Sequence, residues 1–192
     1  MPPKAKITAE MIAEAGLAIV RTSGFAALNI RSVAKQLGCS TQPVMYHYRT
    51  AEALKAAVCA LADGFHTAYL MQEEPGDPLL GIGLRYIRFA AEESNLFRFL
   101  FQSGMLKDTP LAALTDTPDT EPFLAAVSAE SGLTAEQAGT VFALLFMTAH
   151  GCASLLANNA MQYDAAYCEA LLTRCMNGAV AALKGEADEK AF

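Results

Sequence analysis

The feature that most constrains this chain is a pair of short apolar-periodic stretches with almost nothing between them. In "NIRSVAKQLG", Asn29 can cap a short helix whose inner face carries Ile30, Val33, Ala34 and Leu37 and which stops at Gly38. In "CSTQPVMYHY", Ser40 can cap the next helix, and Pro43 is tolerated because first-turn amides have no acceptor within the helix. Two helices of about two turns, parted only by Gly38-Cys39, form a helix-turn-helix layout in which the second member enters a groove. The stretch before it, from a Thr8 cap to Gly24, repeats Met11, Ile12, Ala15, Ile19 and Val20 at helical spacing and supplies the first helix of the set.

The third helix turns Val44 inward and leaves Thr41, Gln42, Tyr46 and His47 outside, with Tyr48 turning inward at its end. A glutamine can bond adenine bidentately and a threonine methyl can touch a thymine methyl, so Gln42 and Thr41 are candidate readers. Tyr46, His47 and Arg49 suit phosphate oxygens, which position a protein without reading sequence. Arg31, Lys35, Ser40 and Lys55 complete the candidate DNA-binding set. Charge supports this placement: residues 1–60 hold seven lysines and arginines against three acids, and the remainder holds seven against seventeen, within a net charge of -6. A basic head on an acidic remainder is the asymmetry expected when one part meets a polyanion.

Composition points to an all-α chain of about nine helices. Its 192 residues are 53% hydrophobic, Ala and Leu dominate, there is no Trp, and strand-like alternation is scarce. The five cysteines (Cys39, Cys59, Cys152, Cys168, Cys175) are odd in number and lack a C-x-x-C pair, which reads as reduced thiols in a cytoplasmic protein. No signal-peptide pattern opens the chain. The most apolar run, Val141 to Leu156, is broken by Thr148, His150 and Ser154, which predicts a buried core helix rather than a membrane span.

Thr50 caps a fourth helix over 50–71, and "QEEPGDP" breaks it. A fifth helix runs from Asp77-Pro78 to about Glu93, and "SNLFRFLFQSG" forms a sixth. The irregular "MLKDTPLAALTDTPDTEP" follows, then a seventh helix over roughly Glu121 to Ser131. Thr134 and Gln137 form a capping box for an eighth helix to about Asn158, and Asp164 caps a ninth to about Lys184, ahead of a charged, frayed tail. The organisation is therefore 1–54 as a helix-turn-helix domain, 50–71 as connector, and 55–192 as a helical body.

No enzyme motif emerges. "GIG" at 81–83 lacks a third glycine and a preceding strand, and His47, His66 and His150 fall on three different predicted helices without metal-ligand spacing. The chain reads as a non-enzyme needing no metal and no cofactor. His150 stands on an otherwise apolar helix, so it either bonds within the core or faces a cavity.

From Ile12 through Leu54 the residues resemble the N-terminal domain of the TetR family of transcriptional repressors, in the joint spacing of Gly24, Val33-Ala34, Gly38, His47-Tyr48 and Glu52-x-Leu54. "RYIRFAAEESNLFRFLF" and "FMTAHGCASLL" are similar to a C-terminal subtype with a Trp-x-x-x-His-Gly signature, Phe146 standing at the Trp position ahead of His150-Gly151. The family usually has Tyr where this chain has Met45 and often Lys where it has Ala51, two phosphate contacts that Tyr46, Arg49 or Lys55 would replace. The resemblance implies a homodimeric repressor on a palindromic operator of double-stranded DNA, released by a small apolar or amphipathic inducer. It adds to the helical body over 55–192 the roles of ligand binding and dimerisation, and it places the inducer among Phe65, Tyr86, Phe89, Phe97, Phe101, Phe123, Phe142, Phe146 and His150. It places the dimer seam on Leu145, Cys152 and Leu155 of the eighth helix and Cys168, Leu172, Cys175 and Ala179 of the ninth. The alternative is a ligand-binding or protein-interaction module that has lost specific DNA binding, which Met45 and Ala51 favour.

Overall fold

The computed structural model describes residues 7–73, 76–115 and 120–189. Lys4 and Lys6 of the basic head, Glu74-Pro75 of the breaker, residues 116–119 of the proline-rich stretch and Lys190 of the tail lie outside them. Among the described residues the chain is all-helical: α1 Ala9–Ser23, α2 Ile30–Gln36, α3 Thr41–His47, α4 Ala51–Leu70, α5 Pro78–Glu92, α6 Ser94–Gln102, α7 Glu121–Ser131, α8 Ala135–Asn159 and α9 Ala165–Glu189. Short 3-10 turns lie at Phe25–Ala27 and, inside the stretch expected to be irregular, at Leu111–Leu114. The last helix runs past the predicted end near Lys184.

Helices start where a short polar side chain can accept from amides that have no intrahelical acceptor. Thr8 accepts from Met11 N, Thr50 from Ala53 N and Asp164 from Tyr167 N, at 3.0–3.2 Å. Asn29 and Ser32 exchange side-chain bonds with each other's amides, as do Thr134 and Gln137. Ser40 occupies the N-cap position of α3 but its hydroxyl makes no capping bond, contrary to expectation.

The chain divides into two compact units: residues 1–71 with 92–106, and residues 72–91 with 107–192. The first unit therefore extends well beyond residue 54, because α4 and α6 both pack on α1. Ile12, Val20, Val33, Val44, Leu54 and Val58 are fully buried in it. Gly16 lets α4 approach closely, since a Cβ there would lie 2.5 Å from Val58 Cγ2. The start of α6 is tied to the end of α1 by an Arg21–Glu93 ion pair and by Asn95 Nδ2 donating to Arg21 O at 2.8 Å. Phe25 stacks on Phe99, and the Arg21 guanidinium lies 4.9 Å from the Phe65 ring centroid.

In the second unit α8 and α9 run side by side in opposite directions. Thr148 Oγ1 and Cys175 Sγ are 3.3 Å apart, and Gln137 Nε2 donates to Leu183 O. α7 packs on α8, where Phe123 and Phe142 stack at 6.3 Å. α5 meets α9 where Leu172 Cδ1 would lie 2.9 Å from a Cβ placed on Gly83. All five cysteines are free thiols.

Candidate nucleic-acid interface and ligand region

Apolar periodicity makes α2 and α3 amphipathic, and their buried faces decide what is left outside. Val33 and Ala34 from α2 and Val44 from α3 are buried. The turn between them closes with Gly38 at φ 62°, a left-handed conformation that glycine adopts without strain, and with Cys39 N donating to Ala34 O at 3.0 Å. With Val44 facing in, α3 turns Gln42, Met45 and Tyr46 to solvent, Tyr46 being 78% and Met45 51% exposed. Arg31, Lys35, Ser40 and Arg49 are also exposed and Thr41 is half-buried. Met45, at the position where the family usually has a phosphate-contacting Tyr, stands three positions from Gln42 and so shares its face.

Two of the candidate contacts turn inward. His47 Nε2 lies 3.1 Å from Ile7 O, so the ring ties the end of α3 to the segment before α1. Tyr48 Oη does the same at Ala9 O. Lys55 Nζ donates to Ser103 O at 2.7 Å, which places its ammonium at the C-terminal end of α6, where free carbonyls favour a cation. These side chains fasten the first unit together, and their sequence positions alone carry no sign of it.

The aromatic residues expected around one inducer are divided between separate cores. Phe65, Phe97 and Phe101 belong to the first unit, where Phe97 is fully buried 4.9 Å from Phe101 and His66 meets Phe101 edge-on. Desolvation lowers the His66 pKa to about 4, so its ring is neutral at neutral pH. In the second unit Phe89 is wholly buried, and Tyr86, Phe146 and His150 form a cluster with ring centroids 5.7–6.0 Å apart. Tyr86 Oη and His150 Nδ1 share a 2.8 Å hydrogen bond. Burial raises the phenol's pKa and lowers the imidazole's, so both partners stay neutral. His150 thus bonds to a core partner while remaining half-buried. A cavity of about 460 Å³ opens elsewhere in this unit, between the start of α5, α7 and α9, and Phe123 is the one residue of the expected set that lines it.

The seam expected on α8 and α9 is largely internal. Leu145, Cys168 and Leu172 are buried within their own unit, Leu172 to 1% exposure against α5, while Cys152, Cys175 and Ala179 are half-buried. Leu155 is the exception at 55% exposure. It ends an exposed stripe of Leu144, Met147, Gly151 and Leu155 at spacings of three and four, a face adjacent to the predicted one. The expectation of a buried core helix is corrected accordingly. α8 is long and apolar enough by length and composition to cross a membrane, yet only 28% of its most apolar window is buried.

The family profile described as "Tetracyclin repressor-like, C-terminal domain" matches residues 79–179, just over half of the chain. No curated protein matches. Among solved structures, a TetR variant from Acinetobacter baumannii AYE in complex with minocycline is similar with a TM-score of 0.57 at 16% identity, covering 93% of this chain and 97% of that one. At this identity the likeness speaks to fold, and the fold is the all-helical one built above. A helix-turn-helix on an all-helical frame, followed by a stretch that the family profile spans, has one reading: the chain belongs to the TetR family of transcriptional regulators.

Proposed function

We propose that the protein is a homodimeric, ligand-responsive repressor acting in the cytoplasm on a palindromic operator. The single observation that carries the reading is the solvent-facing row Gln42, Met45 and Tyr46 on a two-turn helix whose other face is anchored by Val44. A helix held this way can enter the major groove, with Gln42 reading a base and Arg31, Lys35, Ser40, Tyr46 and Arg49 meeting backbone. A dimer supplies two such helices, and half-sites one helical turn apart call for a spacing of about 34 to 36 Å, or more on bent DNA.

The stripe of Leu144, Met147, Gly151 and Leu155 supports the dimer. α8 carries no charged residue between Glu136 and its end at Asn159. Exposed apolar rows of this kind mark interaction sites, and two helices from each of two chains make a four-helix bundle.

The effector is a small apolar or amphipathic molecule held in the second unit. Buried Tyr86 and half-buried His150, bonded to each other, offer a polar anchor among aromatic rings. The similar Acinetobacter baumannii protein is in complex with minocycline; this chain would respond to a ligand of its own. The chain crosses between units at 71–72, 91–92 and 106–107, and α4 and α6, next to these crossings, pack on α1. A hundredfold loss of operator affinity on ligand binding needs a coupling of about 2.7 kcal/mol, within the ordinary allosteric range.

Selection of bound DNA from a random pool tests the reading. Enrichment of a palindrome, bound in a salt-dependent manner by gel shift, is the expected result. Recovery of no common sequence, with binding to the protein's own upstream DNA no better than to unrelated DNA, would assign the chain to a module that binds ligand or protein alone.

A further inference from the structure

The cavity between the start of α5, α7 and α9 belongs to neither the groove-facing helix nor the Tyr86–His150 cluster. Its size, about 460 Å³, lies within the range of small-molecule sites. Three helices wall it with apolar side chains: Leu79, Phe123, Val127, Met176 and Val180. Val127 is buried and the others half-buried, so the interior is mainly apolar, with Ser131 as a half-buried polar residue among its lining. The charged residues among its lining are Asp77, which is half-buried, and Glu130 and Lys184, which are exposed and stand at the mouth.

Two carboxylates against one ammonium leave the mouth negative at neutral pH, in the part of the chain that already holds seventeen acids to seven basic residues. One oxygen of Asp77 caps α5, with Oδ1 accepting from Leu79 N and Leu80 N at 2.8 and 3.1 Å. An anion approaching this mouth meets net repulsion, whereas an apolar tail with a cationic head gains burial inside and attraction at the rim. We propose that this cavity is a binding site for an amphipathic organic amine, its hydrocarbon part between α7 and α9 and its ammonium beside Glu130 and Asp77. The inference goes beyond the regulatory reading, since the site would bind its ligand whether or not the protein binds DNA.

Isothermal titration calorimetry on the full chain at pH 7 and low salt, with decylamine hydrochloride and sodium decanoate below their micellar concentrations, tests it. The amine should bind about tenfold or more tightly than the carboxylate, and the difference should shrink in added salt. Ala126→Trp, at an exposed lining position where folding is spared, should abolish the amine's binding by filling the space. Glu130→Gln should keep binding but reduce the preference for the amine by about threefold to tenfold. Equal or tighter binding of decanoate, amine binding that survives Ala126→Trp, or no binding of decylamine at millimolar concentration would each overturn the proposal.

Discussion

Replacing Gly16 by alanine probes the closest approach in the first unit. The new Cβ would lie 2.5 Å from Val58 Cγ2 and 3.2 Å from Leu28 Cδ1. Val58 is fully buried on α4, and a β-branched side chain on a helix has one strongly preferred rotamer, so its methyl cannot swing aside. α1 and α4 must separate instead, at an overpacking cost of about 1–3 kcal/mol. Against this stands the gain from removing a glycine from a helix interior, about 0.5–1 kcal/mol. The clash wins, and the net loss is about 1–2 kcal/mol. Urea denaturation followed by far-ultraviolet circular dichroism, at fixed protein concentration because association adds to stability, measures it. The companion Val58→Ala costs about 1.5–3 kcal/mol alone through lost burial and a cavity. In that background Gly16→Ala should become neutral or stabilising, a coupling of about 1–3 kcal/mol in a double-mutant cycle. A Gly16→Ala protein as stable as the parent, or two losses that simply add, would refute the argument.

Three further outcomes follow from the same geometry. His66 binds no proton in the folded state until about pH 4, while the unfolded chain binds one near 6.5, so its contribution is fully present above pH 6.5 and is lost progressively down to about pH 4. That interval corresponds to about 3 kcal/mol, and His66→Leu should flatten the acid limb of a stability-against-pH series; an unchanged slope would rule His66 out. Gln42→Ala should cost about 1–3 kcal/mol of operator binding and relax preference at one base pair, whereas Arg49→Ala should weaken all sites and reduce the salt slope by about one, both read by selection and gel shift. Leu155→Arg should yield a folded monomer by sedimentation, while Leu172→Arg, which buries a charge against α5, should unfold the second unit. A Leu155→Arg dimer as tight as the parent would exclude the α8 stripe.

Local chemistry made much of this protein readable in advance. Thr8, Asn29, Thr50, Thr134 and Asp164 cap the helices they precede, because a capping bond spans only two or three residues. Val33, Ala34 and Val44 are buried as the period of their helices requires, and the tight link between α2 and α3 needed only Gly38 to turn. What the chain could not disclose residue by residue depends on contacts between distant positions. α8 is apolar almost all round, so periodicity could not say which side would face its own core; packing on α9 buried Leu145 and left Leu144 and Leu155 outside. Aromatic side chains look alike in sequence whether they fill a core or line a space, and only the tertiary packing separated Phe97 from Phe123. His47 and Lys55 have the chemistry of phosphate contacts, but carbonyls 40 and 48 residues away in sequence lie within their reach. The sequence determined where helices begin and which short helix faces outward, because those are matters of neighbouring residues. The fold decided which apolar face stays uncovered and which cations are already engaged, because burial and hydrogen bonding are settled among side chains that meet only once the chain is packed.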